Sequence, residues 1–283
     1  MPPNGSPDRT SLSTVDGPST KENTMAEYIS YQMIPSVIGI EKGDVVLLTS
    51  DITDLFLQCQ EHGERFDPNV LLDRFQEAIG EVGTLLVPTY NWGFCQGKTF
   101  DYRKTPSKTG AIGNAALRRK DFRRTKHPIY SFAVWGKDTE YLCALDNVES
   151  FGADSPFAYL EKVNGKNVFI GSASMRNSFT YIHYIEQKTG ASYRFSKTFR
   201  SHYVDQDGQE SEKAYAMYVR NLDLDVICTP DPFVDELYAN QAIQSGLINS
   251  VPYEVIRFSD ITPFIMNDIL HNRSRKLCRY KGQ

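Results

Sequence analysis

The first half of the chain alternates continuous apolar runs with apolar residues at helical spacing. Residues 45–48 form an apolar run after a turn, a pattern typical of a strand buried on both faces. Apolar residues then recur at helical spacing from Asp67 onward, and this helix is predicted to end at Gly80 or Gly83. A second apolar run follows over 84–88. Strand, helix and strand in this order predict a parallel βαβ unit.

The rest of the chain continues this mixture of patterns. The polar turn at 205–208 predicts a hairpin between two strands. The other predicted elements are strands over 131–136 and 168–171, and helices over 110–120, from 180 onward, over 231–247 and over 261–270. The basic segment 273–281 is predicted to be a solvated face. Together these elements indicate an α/β protein.

The first 24 residues differ from the rest in composition. Fourteen of them are Ser, Thr, Pro or Gly, and three are apolar. Such a segment buries too little apolar surface to offset the entropy lost on ordering. We therefore predict a disordered tail over 1–24 and a folded domain over 25–283, and Met25 is an alternative start of the chain.

Charge and apolar content limit the classes of partner. The chain has 31 Lys and Arg against 35 Asp and Glu, a net charge of −4, whereas a nucleic-acid binder is expected to be basic. No apolar run approaches the roughly 20 residues of a membrane helix, and no secretory signal is evident. The sequence thus predicts no nucleic-acid partner, no membrane association and a cytoplasmic location.

Five cysteines are widely separated along the chain. Their odd number and spacing argue against a disulfide framework and against a CxxC zinc site, which agrees with a reducing cytoplasm. We read most of them as small buried hydrophobic residues, and no metal is predicted.

One histidine has a carboxylate at helical spacing. His183 lies three residues before Glu186, so the two side chains are expected on one face of a helix. Histidine is suited to accept a proton near neutral pH, and a neighbouring carboxylate raises its basicity or fixes its tautomer. The same spacing also occurs in ordinary surface pairs, so the spacing alone leaves both interpretations open.

Two further segments carry candidate site residues. His127 precedes a proline, which favours an extended backbone there, and it follows a basic cluster. That cluster is either a phosphate-attracting patch or a solvated helix end; its members are Arg118, Arg119, Lys120, Arg123, Arg124 and Lys126. The loop with Tyr90 and Trp92 leaves the carboxyl end of the second predicted strand, where open α/β sheets bind ligands.

Five blocks, in order, resemble the aminoglycoside N3-acetyltransferase family. They are EVGTLLVPT at 81–89, TPSKTGA at 105–111, RTKHPIYSFA at 124–133, SFGADSPF at 150–157 and TYIHYIE at 180–186. The resemblance covers about residues 35 to 270. It implies a single α/β sandwich domain with a central mixed sheet flanked by helices and a small peripheral β element.

The resemblance also implies an activity: transfer of an acetyl group from acetyl-coenzyme A to an amine of an amino sugar, as in antibiotic resistance. His183 matches the family's catalytic histidine, Glu186 its partner carboxylate and His127 a second active-site histidine. Thr180, one helical turn earlier, is a candidate donor to the oxyanion. Direct transfer with a histidine base needs neither metal nor covalent intermediate.

The remaining site residues are also predicted from the resemblance. The coenzyme is expected to contact the loop after the first strand, the TPS segment and the basic cluster through Ser50, Thr53, Thr105, Pro106, Ser107 and Arg118. The acceptor is expected to contact Tyr90, Trp92 and Asp154.

The chain departs from the family pattern in two places. In the loop after the first strand, Asp51 brings a negative charge toward the expected coenzyme pyrophosphate. Ala153 stands where the family often has Glu, and Asp154 is the candidate that replaces it. The candidate carboxylates for binding a polycationic acceptor are Asp223, Asp225, Asp231, Asp235 and Glu236.

Two alternatives to an aminoglycoside acetyltransferase remain. One is an N-acyltransferase for a nucleotide-linked amino sugar in surface-polysaccharide synthesis, in which the basic cluster would attract phosphate. The other is a non-catalytic relative that binds coenzyme or sugar, which the changed loop at 49–53 favours. The sequence does not decide the oligomeric state.

Overall fold

The computed structural model describes residues 27–280, so the tail predicted over 1–24 lies outside the described residues. The strands, in chain order, are β1 Val45–Ser50, β2 Thr84–Pro88, β3 Phe100–Asp101, β4 Arg123–Arg124, β5 Phe132–Gly136, β6 Lys166–Ile170, β7 Arg194–Val204, β8 Glu210–Arg220, β9 Val226–Cys228, β10 Gln244–Ile248, β11 Val251–Arg257 and β12 Cys278–Tyr280.

Seven strands form the central sheet in the order β10-β11-β6-β1-β2-β5-β4. Strand β1 is parallel to both β2 and β6, with Val46 opposite Leu85 on one side and Lys166 on the other. Strands β5 and β11 are antiparallel to their inner neighbours. The sheet is therefore mixed, and the predicted parallel βαβ unit is confirmed.

Helices cover both faces of this sheet. The α-helices are α1 Ile34–Val37, α2 Thr53–Glu61, α3 Pro68–Ile79, α4 Ala111–Arg118, α5 Thr139–Ala144, α6 Pro156–Lys162, α7 Met175–Ser178, α8 Ile182–Thr189, α9 Asp231–Ala239 and α10 Phe258–His271. Short 3₁₀ turns lie at Tyr31–Met33, Phe94–Gln96 and Leu222–Leu224.

Alternate residues of each inner strand pack into two separate cores. In β1, Val46 and Leu48 pack on the side of α1 to α4, whereas Leu47 packs on the side of α6, α8 and α10. Because both faces are buried, the inner strands read as continuous apolar runs rather than as alternating ones. The predicted α/β sandwich is confirmed.

The smaller sheets lie outside this sandwich. Strands β7 and β8 form an eleven-residue antiparallel hairpin, to which β3 adds in parallel. Strands β9 and β12 form a two-stranded antiparallel sheet. The predicted hairpin and peripheral β element are both present, and each strand of the hairpin is eleven residues long.

Local signals set several boundaries. Helix α3 begins after Asp67, whose carboxylate accepts the Asn69 N–H, and ends at Gly80, which has a φ of 62°. The helix predicted over 231–247 is wrong in its second half. Helix α9 ends at Ala239, and a turn then leads into β10, which hydrogen-bonds along β11 instead.

The arginines of the basic C-terminal segment, Arg273, Arg275 and Arg279, are exposed, as a solvated face predicts, while other residues of the segment are tied to the fold. Cys278 is buried and starts β12, and the Asp268 carboxylate accepts the backbone N–H groups of Lys276 and Leu277.

Among residues 27–280, no helix combines the length and the apolar character that crossing a bilayer requires.

Candidate active site

A histidine–carboxylate pair lies on α8, past the carboxyl end of β6. The Nδ1 atom of His183 is 2.6 Å from Oε2 of Glu186. Residues three apart on a helix share a face, which is why the contact forms within one element. The ring of Phe151 packs edge-on against the imidazole, with centroids 5.5 Å apart, and restricts its orientation. Since Nδ1–H donates to the carboxylate, Nε2 is the nitrogen left to accept a proton.

Glu186 is buried at the centre of a small polar network. Its Oε1 accepts the Tyr193 hydroxyl at 2.6 Å, and its Oε2 also lies 2.6 Å from Nε of Arg194. Burial alone would raise the pKa of this carboxyl, but the charges and hydrogen bonds of His183, Arg194 and Tyr193 outweigh burial and hold the pKa below its usual value. Glu186 is therefore a fixed negative charge behind the imidazole.

His183 borders two cavities. The first cavity, about 430 Å³, lies at the carboxyl ends of β1 and β2, against the start of α4. Besides His183, its wall includes Ser50, Asp51, Tyr90 and Thr180. Helix α4 begins there without a side-chain cap, which leaves backbone N–H groups of its first turn without a partner in the helix.

A pair of hydroxyls lines the first cavity beside His183. Tyr90 is fully buried and hydrogen-bonds the Thr180 side chain. Burial raises the pKa of Tyr90 well above its usual value, so the phenol keeps its proton. Trp92 stands on the same wall, and its Nε1 lies 3.5 Å from the Tyr130 hydroxyl. The wall thus combines aromatic surface with hydroxyl donors.

The second cavity, about 260 Å³, shares Thr180 and His183 with the first and lies against α7 and α9. Glu186, Arg194 and Cys228 contribute to its wall, and Arg176 lies at its edge. Arg176 forms ion pairs with carboxylates of α9 at 2.8 and 2.5 Å. Among the described residues that line this cavity, Glu186 is the one carboxylate.

Asp51 is held in place on the wall of the first cavity. Its carboxylate accepts the Ser172 hydroxyl at 2.5 Å and both the hydroxyl and the backbone N–H of Thr53. These hydrogen bonds, that of Ser172 above all, lower the pKa of Asp51. A charged carboxylate therefore ties the loop after β1 to the loop after β6, close to the place where a coenzyme was predicted.

The structure brings together some of the predicted site residues and separates others. Ser50, Tyr90, Trp92, Thr180 and His183 share the first cavity, and Glu186 joins His183 at the second. The predicted residues that line neither of these cavities are Thr53, Thr105, Pro106, Ser107, Arg118, His127 and Asp154.

Most of these separated residues have identifiable places. Thr105 and Pro106 line a smaller cavity of about 210 Å³ beside the 3₁₀ turn at 94–96, and Ser107 is buried against Thr109. Arg118 is exposed at the end of α4, and Asp154 is exposed before α6. Their predicted roles in binding stay predictions.

His127 is a buried, neutral part of the core. Its Nδ1 accepts the backbone N–H groups of Ile129 and Tyr130 at 3.2 Å, and its Nε2 lies 3.3 Å from the Ser150 hydroxyl. Burial lowers the pKa of His127 to about 3. The ring holds in place a turn that includes Tyr130, a residue of the first cavity wall, but His127 itself lines neither cavity. Its catalytic role stays a prediction.

The basic cluster is divided among internal partners. Arg119 pairs with Asp73 and Asp121, and Arg123 pairs with Glu140. Arg124 is buried and donates to backbone oxygens, among them that of Thr105 at 2.6 Å. Three of the six members are thus engaged by partners within the fold, whereas Arg118 and Lys120 are exposed. The phosphate-attracting role of the cluster stays a prediction.

Arg194 and Tyr193 were not singled out from the sequence. Both follow the turn at Gly190 that ends α8, and this turn brings the chain back against Glu186. A cation and a phenol a few residues after a histidine–glutamate pair are a weak signal. Only the tertiary turn shows that they complete its network.

Known proteins were compared with the chain. A model of the aminoglycoside 3-N-acetyltransferase family matches residues 62–268. Among solved structures, AAC-IIIb in a binary complex with CoASH superposes with a TM-score of 0.69 at 18% identity, covering 84% of this chain and 94% of that one.

Two further structures have the same fold. AAC-VIa bound to sisomicin gives a TM-score of 0.69 at 20% identity, over 86% of this chain and 96% of its own. The YokD protein from Bacillus subtilis gives 0.70 at 18% identity, over 89% and 97%. At these identities the structural matches establish the fold, and the sequence match establishes descent.

Proposed function

The chain belongs to the aminoglycoside 3-N-acetyltransferase family, and from this premise we propose that it transfers the acetyl group of acetyl-coenzyme A to an amine of an amino sugar. One observation carries the proposal: the His183–Glu186 pair lies where two cavities meet. A base in that position reaches an amine on one side and a thioester on the other.

His183 is proposed as the general base. Glu186 accepts a hydrogen bond from Nδ1–H of the imidazole, and Nε2 accepts the proton that the amine nitrogen loses as it attacks. General-base catalysis of this kind contributes about 10²- to 10⁴-fold to the rate. Glu186 is a positioning residue, since it fixes the tautomer and stabilises the imidazolium.

The first cavity is proposed to hold the acyl end of acetyl-coenzyme A, which supplies the thioester. Two features of this cavity fit such a ligand. Ser50 and the uncapped first turn of α4 offer hydrogen-bond donors, and Trp92 offers apolar surface. The negative charge of Asp51 repels the pyrophosphate of the coenzyme, so the phosphates are expected away from its carboxylate. The related AAC-IIIb, solved with coenzyme A, supports this assignment.

The Thr180 and Tyr90 hydroxyls are proposed to stabilise charge on the thioester oxygen. Both line the first cavity beside His183, and the phenol of Tyr90 keeps its proton. A hydroxyl aimed at the place where negative charge develops is worth about 10²- to 10³-fold in turnover. Both groups are parts of the wall before the ligand arrives, so little reorganisation is needed.

The second cavity is proposed to hold the acceptor amine. AAC-VIa has been solved with sisomicin, which favours an aminoglycoside. The charge of the wall favours a less cationic acceptor: Glu186 is its one carboxylate among the described lining residues and already pairs with Arg194. The candidate carboxylates Asp231 and Asp235 pair with Arg176 instead. An amino sugar linked to a nucleotide is therefore the second candidate acceptor.

Thiol release from acetyl-coenzyme A tests these proposals. Wild type, His183→Asn and the control His202→Asn are assayed with 2-deoxystreptamine aminoglycosides and with nucleotide-linked amino sugars. His202 is a surface histidine on β7 that also pairs with glutamates, so its replacement controls for loss of a histidine–carboxylate pair.

Each outcome has a defined meaning. Turnover on an aminoglycoside, lost in His183→Asn alone, supports the resistance-type activity. Turnover on nucleotide-linked amino sugars alone supports a biosynthetic activity with the same mechanism. Coenzyme binding without thiol release from any amine contradicts the catalytic proposal and favours a binding protein. The cytoplasm, where acetyl-coenzyme A is available, is the proposed location.

A further inference from the structure

Two cysteines face each other across the small β9–β12 sheet. Cys228 and Cys278 are register partners, and their sulfur atoms lie 3.8 Å apart. The next pair along the ladder is bonded through the Thr229 N–H and the Leu277 carbonyl at 2.9 Å. Hydrogen-bonded and non-hydrogen-bonded pairs alternate in antiparallel ladders, so the cysteines occupy a non-hydrogen-bonded position. Side chains come closest there, and the spacing suits a disulfide.

The two thiols differ in exposure and in charge. Cys228 is exposed, whereas Cys278 is buried and contacts Tyr193. The Cys278 thiol donates to Cys228, and Arg194 places a positive charge nearby, which together favour the thiolate of Cys228. A nucleophilic, accessible thiolate with a second thiol in reach is the arrangement of a reactive cysteine and its resolving partner.

The other cysteines have neither property. Cys59 and Cys143 are buried, and Cys95 is partly buried. Burial raises the pKa of Cys95 and of Cys143 to about 11, so both remain thiols near neutral pH. Reactivity toward small electrophiles is therefore concentrated at Cys228.

We propose that Cys228 and Cys278 form a thiol–disulfide exchange site for low-molecular-weight disulfides, with Cys228 as the attacking sulfur and Cys278 as the resolving one. The Cys228 thiolate attacks a small disulfide RSSR, forms the mixed disulfide Cys228–S–S–R and releases RS⁻. Cys278 then loses its proton, attacks the Cys228 sulfur and releases the second RS⁻. The small disulfide is thereby reduced to two thiols, and the cysteine pair is oxidised to one disulfide.

This site borders the proposed reaction centre. Cys228 and Leu277 line the second cavity together with His183 and Glu186. A group R attached to Cys228 would enter that cavity, while the first cavity, which Cys228 does not line, would stay open. Resting on the proposed function, this geometry implies that the mixed disulfide excludes the acceptor and spares the coenzyme.

Intact-protein mass spectrometry with oxidised glutathione tests the exchange chemistry without an activity assay. Full-length wild type is expected to lose two hydrogens in mass, and peptide mapping should join Cys228 to Cys278. Cys278→Ser is expected to retain one glutathione on Cys228, and Cys228→Ser is expected to show neither product. Cys95→Ser is the control and should behave as wild type.

Several results would overturn the proposal. One is that glutathione attaches mainly to Cys95 or Cys143. Another is that Cys228→Ser reacts with oxidised glutathione as much as wild type does. A third is that the mixed disulfide in wild type is not converted to the Cys228–Cys278 disulfide. The mixed disulfide retained by Cys278→Ser also shows that this variant keeps the reactive surface. Coenzyme binding measured on the glutathionylated Cys278→Ser protein separates the two proposals, since exchange can succeed whether or not the chain turns over an amine.

Discussion

The imidazole of His183 and the carboxylate of Glu186 meet at 2.6 Å, with 28% of the histidine side chain exposed and 2% of the glutamate side chain. The histidine is therefore the more accessible member of the pair. This difference in exposure agrees with the proposed roles, in which the histidine accepts the proton and the glutamate supports its tautomer.

Glu186→Gln is expected to lower turnover about 10²- to 10⁴-fold, because the amide removes the charge that stabilises the imidazolium. The KM for coenzyme should change little, since Glu186 does not line the first cavity. Steady-state kinetics on the amine that wild type accepts make the measurement. Glu210→Gln, which removes the charge of one of the two glutamate partners of surface His202, is the control. A matching loss in that control would contradict the assignment.

Tyr193→Phe removes one of the hydrogen bonds to the buried carboxylate of Glu186. A hydrogen bond to a charged group contributes about 1–3 kcal/mol, so the free energy of unfolding should fall by about that amount. Urea denaturation measures the loss, with exposed Tyr141→Phe as the control. Equal stability of the two variants would show that the phenol does not support Glu186.

His127 makes stability depend on pH. Its pKa is about 3 in the fold and near 6.5 in the unfolded chain, so below pH 6.5 the unfolded state binds the extra proton. This contribution to stability is complete above pH 6.5 and is lost as the pH falls toward 3. It amounts to about 2 kcal/mol between pH 7.5 and pH 5. Urea denaturation at both pH values should show a correspondingly smaller loss in His127→Asn than in wild type.

Cys228 should react with iodoacetamide at lower pH than an ordinary thiol. Its pKa is lowered to about 6, first by the Cys278 thiol and then by Arg194, against the cost of desolvation. Alkylation followed by peptide mass spectrometry should therefore reach half its maximal rate near pH 6. In Cys278→Ala this midpoint should move up toward the usual range. Equal midpoints would show that Cys278 does not activate Cys228.

Asp51→Asn is expected to tighten coenzyme binding about two- to fivefold, because it removes a negative charge from the wall of the first cavity. Asn keeps an oxygen that can accept from Ser172. Isothermal titration with coenzyme A at low salt measures the change. Asp54→Asn, an exposed change on α2 outside that cavity, is the matched control. If Asp51→Asn bound coenzyme A as tightly as wild type or more weakly, the coenzyme phosphates would not lie near the Asp51 carboxylate.

Local features of the fold could be read from the sequence. The contact of His183 with Glu186 needs only helical spacing, and the bounds of α3 follow from Asp67 and Gly80. Such features are decided within a few residues. For the same reason the helix predicted over 231–247 was too long: its second half forms β10, and the pairing with β11 that decides this is not a local signal.

Contacts between residues that are far apart along the chain could not be predicted from the sequence. Tyr193 and Arg194 reach Glu186 only because the chain turns at Gly190, and the cysteines at 228 and 278 meet across fifty residues. The sequence predicts no pairing among the five cysteines, because their spacing along the chain does not show which strands pair. The resemblance assigns His127 to the reaction centre, and burial of this side chain behind the turn at Ile129 is likewise visible only in the fold.

Because both cavities border one imidazole, His183 lies at the junction of two pockets. Under the proposed function each reactant has a pocket of its own, so neither has to leave before the other arrives. Kinetics of the sequential type follow from this layout. A single bisubstrate compound, with the amine joined covalently to the acyl arm of the coenzyme, would occupy both pockets and gain affinity from both halves at once.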